Sequence, residues 1–154
     1  MIKTFRKKNK NMQKTTRRKG QFIGTLKVFE KEITVKFLEM LMMVKLYHWK
    51  TMSYATHKAT DELYTSLNSN IDKFIEVLLG KAGNRIDLMG HKSISLIDLN
   101  SPEKLKQKIN SFKNYLVGLS NNKAMTSMSN TDLLNIRDEI LGNLNQFLYL
   151  LTFK

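Results

Sequence analysis

The chain has 154 residues and a formal net charge of +13, with 26 Lys or Arg against 13 Asp or Glu. It contains no Cys, which excludes disulfides, zinc–cysteine sites and thiol chemistry, and fits a reducing compartment. With one Pro and seven Gly, a sequence rich in Leu, Lys and Asn favours long helices over a turn-rich β fold, in one domain with room for one core.

Residues 1–20 hold nine basic residues and no acid: Lys3, Arg6, Lys7, Lys8, Lys10, Lys14, Arg17, Arg18 and Lys19. They lack an apolar h-region, which argues against a secretory signal, and lack the Ser and the amphipathic period of an organelle-targeting peptide. Such a block is expected to be a disordered, solvated tail ahead of a folded domain at 21–154. Its first physical role is phosphate neutralisation on DNA, indifferent to base sequence. A targeting, solubilising or membrane-surface role is the alternative.

The spacing of Phe22, Leu26, Phe29 and Ile33 predicts a first helix from about Thr25 to Thr51. From Phe37 to Leu46 the sequence is apolar nearly all round. Ten residues are too short to cross a bilayer, so this is a buried helix middle, with no membrane partner implied. Met40, Met42 and Met43 are expected as core filler. A second helix is predicted over residues 56–82, burying Ala59, Leu63, Leu67, Ile71, Phe74 and Leu78 and stopping at Gly80 and Gly83. Residues 84–101 read as a long connection with at most one short helix, and His91 within it as an ordinary loop histidine. Ser101, Pro102 and Glu103 are an N-cap, a first-position proline and a first-turn acid. They open a third helix on Leu105, Ile109, Phe112, Leu116 and Leu119. After a loop from Asn121 to Asn130, the last helix is predicted to reach about Thr152 on Leu133, Ile136, Ile140, Leu144, Phe147 and Leu151. The expected class is all-α: a four-helix bundle in up-down-down-up order, with a long crossover between helices 2 and 3.

The chemistry concentrates between Leu46 and Leu79. His48 and His57 lie there, together with Asp61, Glu62, Asp72 and Glu76, the only acids between residues 40 and 86. At about 100° per residue, His57, Asp61 and Asp72 fall within roughly 60° of one another, and Glu76 about 40° further round. Tyr64, Ile75 and Leu79 share that side, so the face reads as a second buried interface, where unpaired charge is costly and a metal would offset the cost. Asp61 and Asp72 stand roughly 16 Å apart along the axis, so one helix cannot close a site. Two antiparallel copies about a two-fold axis can, with His57 and Asp61 of one facing Asp72 and Glu76 of the other. Mixed imidazole and carboxylate ligands with open positions suit iron or zinc better than magnesium or calcium.

The pattern His48-Trp49, His57, Asp61, Asp72, Glu76 resembles the Dps-like miniferritins (DNA-protection-during-starvation proteins) of the ferritin-like superfamily. The resemblance covers roughly residues 35–154. It implies a ferritin-like four-helix bundle and an inter-subunit ferroxidase site that oxidises Fe(II) with hydrogen peroxide or oxygen. In that reading His48, His57, Asp61, Asp72 and Glu76 bind the metal, and Glu62 stands where such proteins carry an acid that nucleates mineral. The implied assembly is a homodimer built up to a homododecamer, because no fifth short helix follows as in the larger ferritin shells. The implied setting is intracellular, cytoplasmic or nucleoid-associated; similar short-loop sequences of large DNA viruses and phages add the virion. Two departures stand out. Only eight residues separate His48 from His57, fewer than is usual in the family, and 13 acids are few for lining an iron store. The rival expectation is a non-catalytic structural or DNA-packaging protein that keeps the fold with vestigial ligands.

Overall fold

The computed structural model describes the backbone of residues 2–153 and the side chains of residues 24–153. Among the described residues the protein is all-α: α1 (Ile2–Lys50), α2 (Tyr54–Ala82), α3 (Pro102–Gly118), a 3-10 turn (Leu119–Asn121), α4 (Lys123–Thr126) and α5 (Thr131–Leu150). None of these helices is long and apolar enough to cross a membrane.

The first helix departs from the sequence expectation. Residues 1–20 were set apart as a disordered tail, but α1 already begins at Ile2. Lys, Arg, Gln and Met are all good helix formers, and the segment has no Pro and no Gly before Gly20. Extending a helix that is already nucleated adds a hydrogen bond per residue without a second nucleation cost, and here that outweighs the self-repulsion of the charge run. The side chains of Lys3, Arg6, Lys7, Lys8, Lys10, Lys14, Arg17, Arg18 and Lys19 lie outside the described residues.

A three-residue connection, Thr51–Ser53, joins α1 to α2. It is shorter than expected because Ser53 is a working N-cap. Its side-chain oxygen accepts the Thr56 N–H at 3.2 Å, which starts the helix at Tyr54 and contributes about 1 kcal/mol. At the other end Gly83 takes φ 67°, a conformation that favours glycine, and its N–H bonds Leu79 O at 2.9 Å.

α2 is the central element, packed against α1 on one side and α5 on the other. The stripe from Ala59 to Leu78 is buried as predicted, together with Thr60. Phe74 meets Phe37 of α1 edge to face at 5.3 Å, and burying each ring contributes about 2–3 kcal/mol. Met40 and Met43 fill the core, but Met42 is 42% exposed.

Ion pairs fix the directions of the helices. Lys81, at the end of α2, lies 2.8 Å from Asp132 and donates to Ser129 O at 2.9 Å, so α5 starts where α2 stops. The Lys81 hydrogen bond holds the Asp132 carboxyl below the usual range. Residues 84–100 contain no helix, which settles that part of the crossover expectation. Asp98 pairs with Lys50, bringing the crossover back to the end of α1 before α3 starts. Ser101 caps α3 by accepting the Lys104 N–H at 3.3 Å. Further along α3, burial and then the Glu32 carboxylate push Tyr115 up to about 12, which puts it near the middle of α1. Buried Arg137 of α5 donates to Leu116 O at 3.1 Å and to the Ser120 hydroxyl at 2.9 Å, satisfying carbonyl and hydroxyl groups at the end of α3.

Two local details were not anticipated. The stretch read as a loop from Asn121 contains α4, where Asn122 Oδ1 accepts the N–H groups of Ala124 and Met125 at 2.8 and 3.3 Å. Glu30, a charged residue between Phe29 and Ile33 on the first helix, is only 3% exposed. Its carboxylate accepts the Asn84 side-chain amide at 3.1 and 3.3 Å across the start of the crossover.

Candidate functional site

The short α1–α2 connection sets the geometry of the site. It brings the last turn of α1 against the first turn of α2, so the His48 and His57 rings stack with centroids 3.9 Å apart at 24°. Their backbone contacts are reciprocal. His48 Nδ1 lies 3.1 Å from His57 O, and His57 Nδ1 lies 3.1 Å from His48 O.

That reciprocity assigns the protons. A carbonyl oxygen only accepts, so each Nδ1 must be the protonated nitrogen. In a neutral imidazole the lone pair then sits on Nε2, the atom left for a metal, and the second nitrogen's bond fixes the ring orientation. The eight-residue separation therefore does not keep His48 away from His57.

Asp61, one turn further along α2, places Oδ1 4.0 Å from His48 Nε2, and its side chain is 52% exposed. Thr60 adds a third contact on the opposite nitrogen, with its hydroxyl oxygen 3.2 Å from His48 Nδ1. Trp49 is exposed, and Lys45 sits over both Trp49 and Tyr64, at 5.8 and 4.6 Å from the ring centroids.

The structure thus brings His48 against His57, and separately sets His48 4.0 Å from Asp61, without closing the three into one ligand group. Asp72 and Glu76 lie on exposed turns of α2, roughly 16 and roughly 22 Å beyond Asp61. Among the described residues no group of three or more His, Cys, Asp or Glu converges to hold a metal within one chain. Glu62 is exposed and lines, with Asp61, Ser66, Asn143 and Gln146, a groove of about 410 Å³ between α2 and α5. His91 is exposed in the crossover.

Sequence reasoning missed Thr60 and Lys45. A polar residue between Ala59 and Leu63 on a stripe expected to be buried was the available signal for Thr60. Nothing in the periodicity pointed to Lys45, since lysine is ordinary on a helix flank.

Comparison with known proteins places the chain in a family. Residues 48–151 match a family of unknown function, DUF5856, and the chain belongs to that family. The matched segment opens on His48 and contains His57, Asp61, Asp72 and Glu76. The chain is also similar to an uncharacterized 14.6 kDa protein from the mobD-ri intergenic region of Enterobacteria phage T4. The two are 41% identical over 54 residues, which is 32% of this chain and 42% of the phage protein. The similarity therefore spans less than half of that relative's length. No solved structure matches the chain.

Proposed function

We propose that this protein is a Dps-like iron-binding ferroxidase on a ferritin-like four-helix bundle, whose metal sites form between two copies of the chain. The observation that carries the reading is the reciprocal histidine pair. Both Nδ1 protons are committed to backbone carbonyls, so both imidazoles present Nε2, and one of these faces Asp61.

The residues suit Fe(II) as the substrate. His48, His57 and Asp61 provide nitrogen and oxygen donors from one chain. Asp72 and Glu76 of an antiparallel second copy complete the set with carboxylates, which favour the Fe(III) product. The two Nδ1–H bonds orient the imidazoles. The electrons lost by Fe(II) pass to hydrogen peroxide or oxygen. Zinc is the other metal that suits the donors. Assembly to a dimer, and on to a homododecamer, and non-specific DNA association through the basic start of α1, belong to the same proposal, with the nucleoid or a virion as the setting.

A non-catalytic structural or DNA-packaging protein on the same fold is the rival reading. It is favoured by one observation, that no metal-holding group of three converges within a single chain among the described residues. Anaerobic Fe(II) titration of the purified protein, followed by peroxide, separates the two. The ferroxidase reading expects saturable Fe(II) binding and stoichiometric peroxide consumption. Absence of both leaves the packaging role.

A further inference from the structure

Thr60 is fully buried on the α1-facing side of α2, in a stripe that is otherwise apolar. Its hydroxyl oxygen lies 2.8 Å from Thr56 O, 2.9 Å from His57 O and 3.2 Å from His48 Nδ1. A hydroxyl has one proton and two lone pairs. The proton goes to one of the two carbonyls, which leaves a lone pair facing His48. The His48 Nδ1–H is then shared between two acceptors, His57 O at 3.1 Å and Thr60 Oγ1.

We propose that Thr60 is a positioning residue that holds the His48 proton on Nδ1 and so keeps the Nε2 lone pair facing Asp61. Two acceptors converge on Nδ1, so the opposite tautomer would set a bare nitrogen lone pair against both of them. The Thr60 proton could relieve one such clash only by leaving the carbonyl it now serves. The arrangement also answers why a polar side chain occupies a core position. A buried Thr that merely bonds its own i−4 carbonyl is common and carries no message for a neighbouring ring. The contact to His48, twelve residues away across the turn, is what distinguishes this one.

The proposal rests on the reading of His48 as a metal ligand, and two readouts separate them. The first is the His48 tautomer in the metal-free, full-length protein, from long-range proton–nitrogen correlations on histidine-labelled samples. The wild type is expected to carry the proton on Nδ1, Thr60→Val to show a mixture of both tautomers, and Thr60→Ser to restore the wild-type pattern. The second is anaerobic Fe(II) affinity. Losing an outer partner of a ligand histidine typically weakens metal binding about 10–100-fold, so Thr60→Val should fall in that range and Thr60→Ser within about two-fold of wild type. Thr60→Ala removes the same hydroxyl without a branched side chain and serves if the valine packs poorly. An unchanged His48 tautomer in both Thr60→Val and Thr60→Ala overturns the role of Thr60, whatever iron does. A shifted tautomer in a protein that never binds Fe(II) keeps the role of Thr60 and removes the metal.

Discussion

Asp61 Oδ1 lies 4.0 Å from His48 Nε2, across the turn that joins α1 to α2. That is too long for a hydrogen bond. It is close to the span of one ion held by both atoms, since metal–nitrogen and metal–oxygen bonds of about 2.0–2.2 Å in tetrahedral geometry separate the donors by about 3.4 Å. The half-exposed Asp61 carboxylate has only to move in by about half an ångström to complete it. The pair is not a finished ion pair, and the proposed iron site would draw the carboxylate in.

This relationship predicts the phenotype of the ligand substitutions. His57→Ala and Asp61→Ala should each abolish peroxide-driven Fe(II) oxidation. Circular dichroism should stay nearly unchanged. Asp61 is exposed enough that its loss costs within about 0.5 kcal/mol, and the His57 ring gives up about one hydrogen bond, roughly 1 kcal/mol. Full oxidation activity in the double substitution would remove this site from the mechanism.

Assembly is the second prediction. Asp61 and Asp72 are eleven residues apart on one rigid helix, so tight binding should require a second copy. About two Fe(II) per dimer are expected, because a two-fold axis makes two equivalent ligand sets. Ile75 is only half-buried in the single chain and lies on the ligand side of α2. Ile75→Lys should give a monomer that keeps all five candidate ligands and loses tight binding. Light scattering and Fe(II) titration on the same sample check it, and a monomer that still binds stoichiometrically would sink the shared site.

How much of this was visible beforehand depends on how local the cause was. The α2 stripe follows from side-chain period alone, and Ser101 with Pro102 marks the start of α3 because capping is a matter of adjacent residues. Glu30 is different: its burial depends on Asn84, 54 residues later, and no helical period contains that information. α4 is too short to show a period at all. In the candidate site, His57 and Asp61 share a face by spacing. The stacking of His48 on His57 needed the connection length, which turns on Ser53 capping α2 two residues earlier than the apolar pattern suggests. At the start of α1 the charge run pointed to a solvated tail, whereas the backbone there is helical from Ile2.

Tyr115 offers a pH test of how α3 sits against α1. Burial first, and the Glu32 carboxylate second, raise its hydroxyl from 10.0 to about 12. The neutral form is therefore favoured in the folded protein. The associated stability is fully present below pH 10 and is lost as pH rises through about 12, because the unfolded chain releases its proton first. The share lost near pH 11 is on the order of 1 kcal/mol. Tyr115→Phe should remove that share, so its urea midpoint should fall less than that of wild type between about pH 9 and pH 11. Equal falls in the two proteins would place Tyr115 in solvent, away from Glu32.

The last prediction concerns the basic start of α1. Nine Lys or Arg within residues 1–20, with no acid among them, give a dense run of positive charge on a helical backbone. If roughly five of them meet phosphates, log K should fall against log salt with a slope near −4.5, about a 500-fold loss between roughly 50 and 200 mM. Several copies on one assembly should steepen the apparent slope and raise avidity. Phosphate contacts carry no sequence information, so random duplexes of equal length should compete equally. Removing residues 1–20 should abolish retention on DNA while leaving Fe(II) oxidation intact, since the truncated α1 keeps the turns that carry Phe37, Tyr47 and His48. Filter binding across a salt series measures the slope directly. A truncated protein that binds DNA as tightly as the full chain would move the nucleic-acid surface elsewhere and leave the nine basic residues with a targeting or solubilising role.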